Sequence, residues 1–211
     1  MYVLHYYPGN ASLLPHMILR EIGAPFELRL VDRTRDAHKS PDYLALNPNG
    51  LIPVLIDGDL VLYETAAVAM HLCDRYPEAG LAPPLGTAER AHFYKWMAHL
   101  TNTVQAEYLM WFYPERYVDL PEAVPRVKAV AEARLDLSFD RIAAQLGGNP
   151  WVLGERFSAA DLFLTMVIRW GRNLARPPRT IPALGALAER VLARPAVRAA
   201  FEAEGLRPPL I

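Results

Sequence analysis

Apolar and polar positions along this chain follow two interleaved periods as far as about residue 76 and essentially one period afterwards. Residues 2–6 (YVLHY) read as a short strand. Beyond the Pro8-Gly9-Asn10 loop, Leu13, Leu14, Met17, Ile18 and Ile22 recur at helical spacing until Gly23 stops them. Phe26, Leu28 and Leu30 then alternate with Glu27 and Arg29, which is the period of a strand. Strand, helix and strand in so short a span make a βαβ unit, whose strands run parallel through a right-handed crossover. Ser40-Pro41 starts another helix and Asn47-Pro48-Asn49-Gly50 breaks it. Apolar runs at 54–56 and 60–62 flank Asp57-Gly58, a hairpin signal, and residues 64–75 read as a closing helix.

The order βαβ-α-ββα is the thioredoxin-like pattern. It predicts an α/β domain with a mixed four-stranded sheet over residues 1–76. Residues 77–86 hold three prolines and two glycines without periodicity and read as a linker. From 87 to 211 the pattern is helical: a long aromatic-rich segment to about Tyr113, another from Pro121 to Leu146, a third over 158–174, and two short helices at the end. An all-α C-terminal domain is expected there.

Charge and composition narrow the partners. Lys+Arg 22 against Asp+Glu 23 leaves a net charge of -1, so no bulk field gathers nucleic acid or an anionic membrane. The single cysteine, Cys73, forms no internal disulfide framework and reads as a buried structural thiol. The first residues show no basic segment leading into an apolar run, so a cytoplasmic protein is expected. His5, His16, His71, His92 and His99 lack metal-ligand spacing, and no metal is expected.

Three places in the first domain carry candidate chemistry. The loop from Pro8 to Ser12 delivers a hydroxyl to the N-terminus of the first helix, where free N–H groups and the helix dipole favour an anion such as a thiolate. The plain alternative is that Ser12 caps the helix. A cis Pro53 opening a strand would turn the backbone groups of Ile52 outward, where an extended peptide can pair with them. Glu64-Thr65 at a helix start combines a carboxylate for an ammonium group with a hydroxyl and amides for a carboxylate. The plain alternative there is an ordinary charged helix start.

Together these segments resemble the glutathione transferase superfamily over essentially the whole chain. The stretch Ser158-Ala159-Ala160-Asp161 looks like the family's capping box, with Phe157 and Leu162 placed as a hydrophobic staple. The resemblance implies that Leu51, Ile52 and Pro53 hold the cysteinyl backbone of glutathione, that Glu64 and Thr65 hold its γ-glutamyl end, and that His38 or Lys39 reaches its glycyl carboxylate. It makes Ser12 the hydroxyl donor to the sulfur, as in serine-type theta-like classes, with Tyr6 and Asn10 as alternatives. The loop is most similar to bacterial beta-class members, but Ala11 stands where those carry a cysteine and Gln105 stands where they carry a histidine.

The implied activity is addition of glutathione, as a thiolate, to a small hydrophobic electrophile by a cytoplasmic homodimer. Isomerisation, dehalogenation or lyase chemistry on the same site, or a non-catalytic binding module, are the alternatives. Tyr108, Trp111, Phe112 and Trp170 are either core or the lining of an electrophile pocket.

Overall fold

A computed structural model describes residues 1–211, in two compact units: Met1–Pro84 with Leu192–Leu210, and Leu85–Val191 with Ile211. The strands are β1 (Tyr2–Tyr6), β2 (Phe26–Leu30), β3 (Val54–Asp57) and β4 (Leu60–Tyr63). The helices are α1 (Leu13–Ile22), α2 (Pro41–Leu46), α3 (Thr65–Arg75), α4 (Ala88–His99), α5 (Ala106–Phe112), α6 (Val124–Leu146), α7 (Ala159–Trp170), α8 (Pro182–Leu192) and α9 (Pro195–Ala203).

In the first unit the four strands form one sheet in the order β2-β1-β3-β4, with β1 and β2 parallel and the other pairs antiparallel. This is the mixed thioredoxin-like sheet. Local chemistry sets the element ends. Gly23 stops α1 in the left-handed region at φ 66. The Ser40 hydroxyl accepts the Tyr43 N–H at 3.2 Å and Pro41 opens α2, where its missing N–H costs nothing.

Residues 13–19 of α1 are all buried, so this helix needs cover on more than one side. Helix α3 packs on it, and so does α9 from the far end of the chain. Arg194, just ahead of α9, grips the Glu21 carboxylate with two bonds of 2.6 and 2.7 Å. Residues 192–210 therefore belong to the sheet-bearing unit and not, as the helical periodicity of 87–211 suggests, to the second. Periodicity reports helix type but not which core a helix covers.

In the helical unit the backbone passes from α4 into α5 through a π-helical stretch, Leu100–Gln105. Helix α7 is buried along Ala159–Arg169 and is fixed at its start by the expected capping box. The Ser158 hydroxyl accepts the Ala160 N–H at 3.3 Å. The Asp161 carboxylate accepts the N–H groups of Ser158 and Val152, each at 2.8 Å. Burial pushes the Asp161 carboxyl up to about 6, and those donors hold it back from rising further.

Candidate active site on the sheet edge

The strand register brings the candidate segments together. His5 of β1 lies opposite Val54 of β3, and Val54 lies opposite Tyr63 of β4. Tyr6 lies opposite Leu30 of β2. The end of β1, the end of β2, the start of β3 and the end of β4 thus share one edge of the sheet. From that edge issue the 8–12 loop, the Ala37–Lys39 turn, Leu51–Pro53 and Glu64–Thr65.

Within the loop, the three candidate sulfur donors stand differently. Ser12 has no exposed surface. Its hydroxyl donates to the Tyr7 carbonyl and accepts the Tyr7 N–H, both at 3.2 Å. It also makes no cap bond, because its helical dihedrals (φ -62, ψ -17) lack the extended geometry that lets a cap reach forward. The expected thiolate donor is, as it stands, an internal pin of the loop.

Asn10 is half-buried, and its Oδ1 accepts the Ala11 N–H at 2.6 Å. That leaves the Nδ2 donors for a ligand. Tyr6 is also half-buried, and burial together with the Glu204 carboxylate raises its phenol above the usual range, which keeps its proton on. Ala11 is buried at the position without the thiol.

The Leu51–Pro53 segment is braced from behind. The Leu51 carbonyl accepts both the Tyr43 hydroxyl and the Asn47 amide at 2.8 Å. The Ile52–Pro53 peptide is cis, and neither the N–H nor the carbonyl of Ile52 pairs with another backbone group. Gly50 sits at φ 61 against the His38 carbonyl, 3.0 Å from where a Cβ would stand. This close approach ties the 37–39 turn to the segment. His38 is mostly covered, whereas Lys39 is exposed and bonded to Asp36 at 3.0 Å.

Glu64 precedes α3 at φ 72, ψ 114, a left-handed conformation that a residue with a side chain adopts only at a cost. It caps nothing and its side chain is exposed. Thr65, the first residue of α3, is buried. The Glu64 carboxylate is thus open to solvent at the same edge, beside the first amides of α3, which have no acceptor within the helix.

In the helical unit, Tyr108 is fully buried and stacks 5.8 Å from Phe112 and edge-on 5.7 Å from Trp170. It is a core ring and does not line a pocket. Burial raises its phenol well above the usual value. Trp111 donates its ring N–H to Glu132 at 3.0 Å. Phe112, 44% exposed, and the part-covered Trp111 and Trp170 are the members of the group that reach the surface. Cys73 is buried.

What chain order alone conceals is the last residue of the first unit's core. Glu204 reaches both the loop and α1 across nearly the whole sequence, and neither motif nor spacing marks it.

A mixed sheet of this topology, with an unpaired backbone edge beside an amide-rich helix start, defines a protein of the thioredoxin-like class that carries a second, helical unit. The chain matches the models of the glutathione S-transferase N-terminal domain over residues 12–75 and C-terminal domain over residues 112–195. It is 33% identical to glutathione S-transferase GST-4.5 of Xanthomonas campestris pv. campestris, with 94% of this chain and 97% of that protein covered. Among solved structures it is similar to a glutathione S-transferase from Xylella fastidiosa, at TM-score 0.89 and 33% identity over 98% of this chain and all of that one. A sphingomonad glutathione S-transferase complexed with glutathione aligns at TM-score 0.85 and 32% identity, over 97% of this chain and 100% of that one. The chain belongs to the glutathione S-transferase family.

Proposed function

We propose that this protein binds glutathione along the sheet edge, activates it as a thiolate and transfers it to a small hydrophobic electrophile. The observation that carries this is the convergence, on one edge, of the unpaired Ile52 backbone groups, the Glu64–Thr65 helix start and the half-buried Asn10. Each matches one part of the tripeptide. Ile52 pairs with the cysteinyl backbone as an added strand, with Leu51 and Pro53 forming the wall. Glu64 accepts the γ-glutamyl ammonium, while the Thr65 hydroxyl and amide receive its carboxylate. His38 or Lys39 receives the glycyl carboxylate.

The sulfur then lies by the 8–12 loop. A free thiol has a pKa of about 8.5 and is mostly protonated at neutral pH, so a donor to the sulfur raises the fraction of nucleophile. Asn10 supplies that donor, in place of the buried Ser12. Proximity supplies the rest of the rate. The acceptor binds against Phe112 and Trp170 of the helical unit, with Trp111 beside them. The active form is a homodimer in the cytoplasm.

Calorimetric titration with glutathione tests the assignment. Glu64→Gln keeps the size of the side chain and removes its charge, so affinity should fall by about 1.5 kcal/mol, roughly tenfold. Unchanged affinity would place the γ-glutamyl end elsewhere. Consumption of glutathione against a panel of electrophiles then identifies the transfer.

A further inference from the structure

The buried carboxylate of Glu204 has two partners, and only one of them is needed to hold α9 in place. Its Oε1 lies 2.8 Å from His16 Nδ1, with neither side chain exposed. Its Oε2 accepts the Gly9 N–H at 2.7 Å, across 195 residues of chain. The Arg20 Nε donates to His16 Nε2 at 3.4 Å, so the His16 proton sits on Nδ1 and points at Glu204. Docking of α9 on α1 already has the Arg194–Glu21 fork and the buried Val197, Ala200 and Phe201. The bond to Gly9 is separate from those contacts. It acts on the loop.

Gly9 stands at φ +67, and a Cβ there would meet Leu206 Cδ2 at 3.5 Å, so the segment after α9 lies directly over the loop. The next residue is Asn10, whose N–H returns to the Tyr7 carbonyl. Tyr6, Asn10 and Ser12 all lie within three residues of the held amide. The Tyr6 phenol also senses the Glu204 charge.

We propose that Glu204 is a positioning residue for thiol activation: by holding the Gly9 N–H it fixes the turn that aims the Asn10 amide at the sulfur. This rests on the reading of the 8–12 loop as the activating segment. Geometry and charge make opposite predictions, which separates them. If Glu204 acted only through its negative charge it would disfavour the thiolate, and removing it would lower the thiol pKa in every neutral variant. If it acts through position, Glu204→Ala loosens the loop and raises that pKa. Glu204→Gln keeps one acceptor oxygen for two donors, the Gly9 N–H and the His16 Nδ1–H, and so holds the loop only in part.

The test is the ultraviolet absorbance of the bound glutathione thiolate against pH, in the parent, Glu204→Ala and Glu204→Gln, with glutathione affinity measured alongside. Glu204→Ala should raise the bound pKa by about one unit, a roughly tenfold loss of thiolate below that pKa. Affinity measured well below the bound pKa, where the thiol form binds, should stay within about twofold, because the peptide portion is held at Ile52, Glu64 and Thr65. Glu204→Gln should give a smaller rise than Glu204→Ala. Glu204→Asp, which pulls the carboxylate back by one methylene, should give an intermediate rise and serves if the alanine variant does not fold. A folded Glu204→Ala or Glu204→Asp with the parent pKa overturns this inference alone. A parent that shows no lowered thiol pKa overturns the activation reading, and this inference with it.

Discussion

Two neighbouring polar residues of the activating loop are expected to fail in different ways when altered. The Ser12 hydroxyl is buried and meets both the N–H and the carbonyl of Tyr7. Ser12→Ala leaves the Tyr7 N–H without a partner, while the Tyr7 carbonyl keeps the Asn10 N–H, and should cost about 1–3 kcal/mol of stability in urea unfolding. Asn10 has little such role, and its replacement should act on the bound thiol. A second residue-scale expectation concerns Gly171. A Cβ there would collide with the Tyr108 hydroxyl and stand 2.6 Å from Pro178 Cδ. Gly171→Ala should destabilise the helical unit by about 1–3 kcal/mol, read from the shift of the denaturation midpoint, because a packed core has no room to give.

At the scale of elements, the start of α7 is the most exacting. Asp161→Ala strands the N–H groups of Ser158 and Val152 in a buried site, where each lost partner is costly. A loss of about 2–4 kcal/mol is expected by chemical denaturation, with glutathione affinity of the remaining folded protein unchanged. Burial raises the Asp161 carboxyl to about 6 in the fold, against an ordinary value of 3.8. The folded state therefore takes up the proton first, and this group alone favours folding as pH falls from about 6 toward about 4.

The elements themselves were largely legible from sequence. The switch between periods 2 and 3.6, Ser40-Pro41, Asp57-Gly58 and Ser158 to Asp161 each mark a local structure that forms where they stand. The local structure of the three candidate segments was legible for the same reason, since each is a turn or a helix start. Two things were not. The direction of the Ser12 hydroxyl depends on backbone dihedrals that residue type does not reveal. The return of 192–210 to the sheet unit depends on His16 meeting Glu204, 188 residues apart in sequence. A lone histidine on an apolar helix names no partner at that distance.

For the whole molecule, pH and ligand are the two handles. Burial holds His5 and His99 below the usual imidazole range, with Arg29 adding to the effect at His5 and Lys95 at His99. The unfolded chain binds these protons from 6.5 downward, before the fold does. Stability from this source is thus present above 6.5 and is lost as pH falls through it. The double variant His5→Gln, His99→Gln should show a flatter decline of the thermal midpoint between about pH 6.5 and 5 than the parent. An equally steep decline would place the acid-labile groups elsewhere.

In the proposed mechanism the sheet edge lowers the pKa of a bound thiol, and the Asn10 amide does a share of it. One measurement tests it most directly: the ultraviolet thiolate absorbance of bound glutathione against pH, for the parent, Asn10→Ala, Ser12→Ala and Tyr6→Phe. The parent should show a pKa well below the free thiol's value of about 8.5, with a rise of about one unit in Asn10→Ala and little change in folded Ser12→Ala or in Tyr6→Phe. A rise in Ser12→Ala or Tyr6→Phe with Asn10→Ala unchanged would move the donor to another side chain. A parent whose bound glutathione titrates like the free thiol would contradict thiolate activation altogether.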